Sequence, residues 1–462
     1  MPNPATDSTT TDAHTGRILD AIGIGAGPFN LGFAALADNV PGLDVLVLEA
    51  APELSWHPGM MLEGTHLQVP FMADLVTMAD PTNRHSFLNY LKESGRIYPF
   101  YIREDFYALR AEYNNYLRWA AGRLESVRFG RRVVAASFDA GVYTLEVEHD
   151  GGTSRLRTRR LVLGTGTSPE VPAAAQEALA AADAHSGAPL VHSSTYRQDR
   201  DRLRSRRRIA VVGSGQSAAE VFAELLGGLD DDQELLWVTR SPRFFPLEYT
   251  KLTLEMTSPE YIDHFHGLPQ ERRDRLNATQ KPLFKGINAD LVNDIHEMLY
   301  RRTVEGASPV RLLAATSLES LEQDRGGWQL GLRNQDDGGT QVIGVDAAVL
   351  ATGYAYREPA FLAGIADRVE RLPDGRLAVD RDYSVGTAGD ILVQNAELHT
   401  HGFTAPDLGM GAYRNSVIIN RITGVEHYPV ERRIAFQEFG TPGTPGNPSP
   451  TPSATSLQEA TA

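Results

Sequence analysis

Residues 18–31 read Ile-Leu-Asp-Ala-Ile-Gly-Ile-Gly-Ala-Gly-Pro-Phe-Asn-Leu. A short apolar run breaks into Gly23, Gly25 and Gly27, then passes into a helix-like segment. That is the strand–glycine turn–helix pattern of a dinucleotide-binding βαβ unit. Gly23 permits the tight turn, and Gly25 lets backbone approach a pyrophosphate. The N–H groups at the helix start face the anion. The second strand, residues 43–49, ends on Glu49, 22 residues after Gly27. An acid there can accept from a ribose 2′-hydroxyl. A glycine triplet alone also fits a plain turn; the flanking strands and terminal acid carry the dinucleotide reading.

A second unit follows. Residues 208–222 read Arg-Ile-Ala-Val-Val-Gly-Ser-Gly-Gln-Ser-Ala-Ala-Glu-Val-Phe, with Gly213 and Gly215 in the turn. Ala218 stands at the third glycine position, which the pattern tolerates. The next strand, residues 234–240, ends in Arg240 where the first unit has Glu49. An arginine there suits a 2′-phosphate. The first unit therefore reads as an FAD site and the second as an NADPH site. A solvated surface arginine is the other reading of Arg240.

Residues 161–166 and 346–354 are apolar strands that end in Gly-Thr-Gly and Ala-Thr-Gly-Tyr. Two such returns flanking the second unit imply an NADPH domain inserted in a split FAD domain. The expected fold class is α/β, with two Rossmann-like dinucleotide-binding domains and a small, mostly helical substrate-binding region. The expected division is 18–200 and 345–436 for FAD, and 205–344 for NADPH, with a substrate-side insertion at about 244–300. Periodicity predicts helices near 86–92, 110–123, 288–302 and 412–423, and antiparallel strands over 127–158 and 310–332. Residues 1–17 and 437–462 are polar or rich in Pro, Thr, Ser and Gly, and are expected to be disordered.

Composition removes whole classes. The net charge of −15 argues against a general nucleic-acid binder. The absence of cysteine excludes disulfides, thiolate metal sites and the dithiol type of flavin reductase. No apolar run approaches a membrane span, and the N-terminal residues lack a signal-peptide core, so a cytoplasmic protein is expected. No histidine cluster has metal-ligand spacing; His264-Phe-His266 reads as a solvated loop.

Further motifs extend the pattern: Trp56-His-Pro-Gly-Met60, Leu67-Gln-Val-Pro-Phe71, Asp74-Leu-Val-Thr77, Asp80-Pro-Thr82, Phe87-Leu-Asn-Tyr-Leu91 and His401-Gly. With both glycine turns, and in this order, they resemble the microbial N-hydroxylating flavoprotein monooxygenases. These include the lysine, ornithine and diamine N-hydroxylases of siderophore biosynthesis. The resemblance covers residues 18–428. It implies that NADPH reduces FAD and that O2 adds to give a C4a-hydroperoxyflavin, guarded by bound NADP⁺. The free-base amine of a small substrate then attacks the distal oxygen. The hydroxylamine is acylated elsewhere into a hydroxamate. A homotetramer is implied as well.

The resemblance also assigns residues. Gln68 lies against the isoalloxazine ring, and Asn288 contacts both cofactor and substrate amine; these two are the implied catalytic residues. Cofactor contacts fall to Gly23, Gly25, Gly27, Pro28, Glu49, Trp56, His57 and Val133 on the first unit. On the second they fall to Gly213, Gly215, Gln216, Ser217, Ala218 and Arg240. Thr352, Gly353, Pro406, Asp407 and Leu408 complete the set, with 406–408 closing over FAD. Substrate contacts are Ala73, Leu254, Glu255, Asn288, Asp407 and Gly409. Ornithine-specific relatives carry lysine at the Ala73 position and asparagine at Leu254. Their loss removes grip on an amino-acid head and favours cadaverine or putrescine. A diamine's far ammonium wants a carboxylate, for which Asp407 and Glu255 are candidates. Lysine or ornithine hydroxylation stays open at this point, as does an idle flavin-binding redox sensor. A Baeyer–Villiger type is disfavoured, because its Phe-x-Gly mark is Ser186 and Ala188 here.

Overall fold

The computed structural model describes residues 16–182, 187–306, 310–324 and 326–441. The expected disorder at 1–15 and 442–462 falls outside these residues. The C-terminal segment stays anchored further than its composition suggests. Glu255 accepts the Phe436 and Gln437 N–H groups, both at 3.1 Å, and Phe439 packs on Tyr261. Glu260 accepts from Ile434 at 2.6 Å and Ala435 at 2.9 Å.

Two parallel sheets form the body. The first runs Ser384–Val385, Ile391–Val393, Leu161–Leu163, Ala21–Ile24, Val45–Leu48, Val127–Arg128. Only the Ser384–Val385 pairing is antiparallel. Residues from both ends of the chain thus share one sheet. The second runs Leu190–His192, Ala347–Leu350, Arg208–Val212, Glu234–Val238, Val310–Leu313, parallel throughout. Ala21–Ile24 and Val45–Leu48 are buried at every position, as strands covered on both faces must be.

Two antiparallel sheets flank the body. Arg132–Asp139, Val142–His149 and Gly152–Thr158 form one, with Ile18–Leu19 on its edge. Thr316–Asp324, Gly327–Asn334 and Thr340–Val345 form the other. Alternation overextended both meanders in the sequence. Val127–Arg128 and Val310–Leu313 belong to the parallel sheets, because each pairs with the strand that ends in Glu49 or Arg240. Residues 244–300 hold four short helices, Lys251–Leu254, Pro259–His266, Gln270–Thr279 and Pro282–Lys285, before the long Ala289–Glu305.

The loop after Trp56 locks the two halves together. Met60 and Leu62 join the core of the second sheet, alongside Val211, Phe222 and Ile287. Gly59 lies so close to Ser194 that a Cβ there would stand 1.9 Å from its carbonyl oxygen. No helix among the described residues is long and apolar enough to cross a membrane.

Candidate active site

The first glycine turn opens a helix onto free space. Gly27 caps Pro28–Ala37, with Pro28 at the first helical position. A Cβ on Gly27 would meet nothing within 4 Å, so the turn is open on that side of the helix start, where an anion can be received. Gly25 has φ 92°, and a Cβ there would stand 2.4 Å from the Gly164 carbonyl oxygen. Only glycine fits. Glu49 Oε2 accepts the Ala26 N–H at 2.8 Å, which sets the carboxylate at the rim of the turn.

Asn30 holds this turn, a role its place in the motif did not reveal. It is buried, and its Nδ2 donates to Gly25 O at 2.8 Å and Ile24 O at 3.2 Å. Its Oδ1 accepts from Gln394 at 2.7 Å. The available signal was an amide in an otherwise apolar helix start.

Gln68 carries a buried Nε2 with no hydrogen-bond partner. A buried donor left unpaired is costly, so the site is built for an acceptor that the chain does not supply. Trp56 and His57 meet edge to face at 4.7 Å, and His57 also meets Tyr354 at 6.0 Å. This joins the Trp56 loop to the Thr352-Gly353 return. Val133 lies two residues beyond Arg131, whose N–H donates to the Glu49 carbonyl at 2.8 Å. Thr352 donates to Glu170 O at 2.5 Å, and the Gly353 carbonyl accepts from His192 Nε2 at 3.2 Å.

At the second turn, a Cβ on Gly213 would stand 2.1 Å from Ala351 O and 3.1 Å from the Ala218 Cβ. Gly215 caps Gln216–Gly227, and Ser217 lies half-buried in the first turn of that helix. Arg240 is exposed just beyond its strand. A neighbour the sequence did not single out is Lys285, whose carbonyl lies 3.4 Å from a Cβ on Gly215. Desolvation holds the Lys285 ammonium below its usual value, against Glu170 and with Lys281 and Arg240 adding repulsion, though the exposed side chain tempers the effect. Arg240, Lys281 and Lys285 therefore share one cationic field beside the turn. A phosphate relieves that repulsion.

On the substrate side, three assigned residues come together. A Cβ on Gly409 would stand 3.0 Å from Asp407 Oδ1 and 3.9 Å from the Ala73 Cβ. Asp407 Oδ1 accepts the Gly409 N–H at 2.6 Å. Burial raises the Asp407 carboxyl, while the Gly409 and Met410 N–H groups and Arg414 pull it back. Part of the residue still faces solvent, which tempers the rise. Leu408 packs on the first core, and Pro406 is exposed. Tyr249 and Tyr107 were missed by sequence reasoning. The Tyr249 hydroxyl is pushed up by burial, then by Asp407 and Tyr107.

Two assignments sit differently from the rest. Leu254 ends the Lys251–Leu254 helix, but both oxygens of Glu255 are taken by the 436–437 segment. Its carboxylate is committed to that anchor, which leaves Asp407 as the acid beside Ala73. Asn288 caps Ala289–Glu305 through Oδ1, which accepts from Asp290 at 2.9 Å and Leu291 at 3.2 Å. Its Nδ2 is the group left for other work. Among the described residues, no group of three or more His, Cys, Asp or Glu could hold a metal ion.

A family model described as L-lysine 6-monooxygenase/L-ornithine 5-monooxygenase matches residues 17–356. The chain belongs to this family. It is a monooxygenase, and its two glycine turns, open helix start and orphaned Gln68 amide fit FAD and a dinucleotide. A putrescine N-hydroxylase of Shewanella oneidensis is 45% identical over 432 residues, 91% of this chain and 84% of that protein. The FAD-bound cadaverine monooxygenase of the desferrioxamine pathway in Erwinia amylovora is 48% identical. It superposes with a TM-score of 0.89, covering 92% of this chain and 99% of that one. An ornithine N-hydroxylase of Kutzneria sp. 744, solved with reduced FAD, NADP⁺ and L-ornithine, is 27% identical. Its TM-score is 0.80, with 88% and 99% of the two chains covered.

Proposed function

We propose that this monooxygenase hydroxylates one terminal amine of an aliphatic diamine, putrescine or cadaverine, for a hydroxamate siderophore. FAD and NADPH are its cofactors and O2 its co-substrate. The observation that carries the reading is the Asp407–Gly409–Ala73 cluster. It offers a carboxylate, and the nearby cation, Arg414, is buried and paired with Glu397, which is the reverse of what an amino-acid carboxylate needs. The diamine relatives at 45% and 48% identity support the same reading.

FAD, when bound, supplies the oxygen-activating chemistry, with NADPH as the electron source. The chain's own residues bind and orient. Gly25, Gly27 and Glu49 hold the FAD pyrophosphate and ribose, and Gln68 Nε2 meets an acceptor on its ring system. Gly215 and Ser217, with Arg240 and Lys285, hold NADPH and its 2′-phosphate. Asp407 pairs with the far ammonium of the diamine. The reacting amine, with an intrinsic pKa of about 10.4, must shed its proton, which burial away from water favours. Asn288 Nδ2, left over because Oδ1 caps the helix, orients that amine. One oxygen atom goes to nitrogen and the other to water, with two electrons from NADPH.

We assign residues 18–200 and 345–436 to FAD and 205–344 to NADPH, with 244–300 as the substrate-side insertion, except that Leu190–His192 and Ala347–Leu350 pair into the second sheet and go with the NADPH unit. The sharing of one sheet by both chain ends supports this division. The protein works in the cytoplasm, as a homotetramer. Exposed Tyr98, Tyr101, Ile102 and Phe106 on one segment support a contact between copies.

The test is hydroxylamine formation by FAD-loaded protein with NADPH, with diamines and amino acids at equal concentration. Product from putrescine or cadaverine but not from lysine or ornithine is the expected outcome. Product from an amino acid alone overturns the substrate assignment. NADPH oxidation alone does not count, because an unprotected flavin also makes H2O2.

A further inference from the structure

Arg110 opens the Arg110–Ala121 helix of the first half, and Glu220 lies in Gln216–Gly227 of the second. Arg110 Nη1 and Nη2 donate to the two Glu220 oxygens at 2.9 and 2.8 Å. Arg110 Nη1 also donates to Met60 O at 2.8 Å, on the loop that plugs the second core. Glu220 is buried and Arg110 mostly so, at 4% and 13% exposure. Glu220 Oε1 accepts a third hydrogen bond, from Gln216 Nε2 at 2.9 Å. Gln216 Oε1 then accepts the Asn288 N–H at 2.8 Å.

The order of donors along this chain is forced. An ionised carboxylate accepts only, so it turns the Gln216 amide with NH2 toward itself. That leaves Oε1, an acceptor, facing the Asn288 N–H. Three donors converge on Glu220, so an amide in its place would set NH2 against N–H. A bidentate guanidinium–carboxylate pair also fixes angle as well as distance. The orientation of the first helix is thereby transmitted to the residue that caps Ala289–Glu305.

We propose that Glu220 is a positioning residue. Through Arg110 it registers the second nucleotide unit against the first, and through Gln216 it sets Asn288 where amine and nicotinamide meet. This rests on the reading of Asn288 given under the proposed function. It assigns Gln216 a linking role in addition to any contact with nucleotide.

The test uses full-length, FAD-loaded protein and the Glu220→Gln variant, which keeps the shape and removes the charge. Three quantities are read: FAD per chain, the NADP⁺ dissociation constant by titration, and hydroxylamine formed per NADPH with saturating putrescine. The expected result is unchanged FAD content, NADP⁺ binding weakened by about tenfold, and a several-fold lower product ratio, with H2O2 making up the difference. Arg110→Lys keeps the charge and loses the fork; it should shift the same two quantities less, and it replaces Glu220→Gln if that variant does not fold. Wild-type NADP⁺ affinity and product ratio in the variant overturn the proposal. So does a loss of FAD in step with NADP⁺ affinity and melting temperature, which marks a role in stability alone. If wild type makes no hydroxylamine from any diamine, the substrate assignment fails, and NADP⁺ affinity at constant FAD content still decides the role of Glu220.

Discussion

Glu49 Oε2 accepts the Ala26 backbone N–H at 2.8 Å, and its Oε1 accepts from Ala51 at 2.9 Å. One carboxylate thus shapes the glycine turn and stands at its rim, where we propose that it meets a ribose. Glu49→Ala removes both supports. A hydrogen bond to a charged acceptor contributes about 1.5–3 kcal/mol. FAD affinity should fall by about tenfold or more, read as flavin absorbance per chain after gel filtration. Full FAD retention would contradict this role.

Gln68 should separate stability from cofactor binding. Its buried Nε2 has no partner in the chain. Replacing an unpaired buried amide with leucine removes a desolvation cost, so Gln68→Leu should leave the melting temperature of FAD-free protein unchanged or higher. The same variant should bind FAD more weakly and form less hydroxylamine per NADPH. A lower melting temperature without FAD would mean that Gln68 supports the fold instead.

The first nucleotide unit was legible because its constraints are local. Gly25, Gly27 and Glu49 fall within one strand–turn–helix–strand passage, and the positive φ of Gly25 and the Glu49–Ala26 hydrogen bond are demands of the backbone itself. Long-range partners left no such trace. Asn30 and Gln394 are 364 positions apart, and Arg110 and Glu220 are 110 apart. Nothing in their spacing announces a contact. Glu255 shows the converse: an acid beside a matched position looks available for an ammonium until the 436–437 segment folds onto it. Lys285 and Tyr249 sit in the irregular insertion, where no periodicity tells which side faces the cleft.

Ala73→Lys should turn the pocket against its substrate. Ala73 is buried, with its Cβ 3.9 Å from the Cβ position of Gly409 and close to Asp407. A lysine there would pair with Asp407 and repel the far ammonium. The putrescine KM should rise by about tenfold or more, with NADPH oxidation in the absence of amine little changed. An unchanged putrescine KM would place the far ammonium elsewhere.

Acid should destabilise the fold in part through His401. This ring is buried, stacks on Tyr383 at 4.5 Å and meets Arg381 O at 3.2 Å. Burial first, then Arg381 and His266, hold its pKa well below the ordinary value. The native ring stays neutral while the unfolded chain takes up a proton below about pH 6.5. The unfolded state then binds more protons, so stability falls as pH falls. From pH 7.5 to 5.5, His401 alone should remove about 1 kcal/mol. Thermal unfolding at both pH values should show a larger loss in wild type than in His401→Gln. Equal losses would contradict the shift.

The most direct test of the account is the effect of Asp407→Asn on two amines of matched length, putrescine and butylamine, read as kcat/KM for hydroxylamine formation. If Asp407 holds the far ammonium, the variant should lose about 10–100-fold with putrescine, the value of a charge-assisted pair. With butylamine, which has no second ammonium, it should lose little. An equal loss with both amines would mean that Asp407 only shapes its loop, and that the diamine is recognised by other residues.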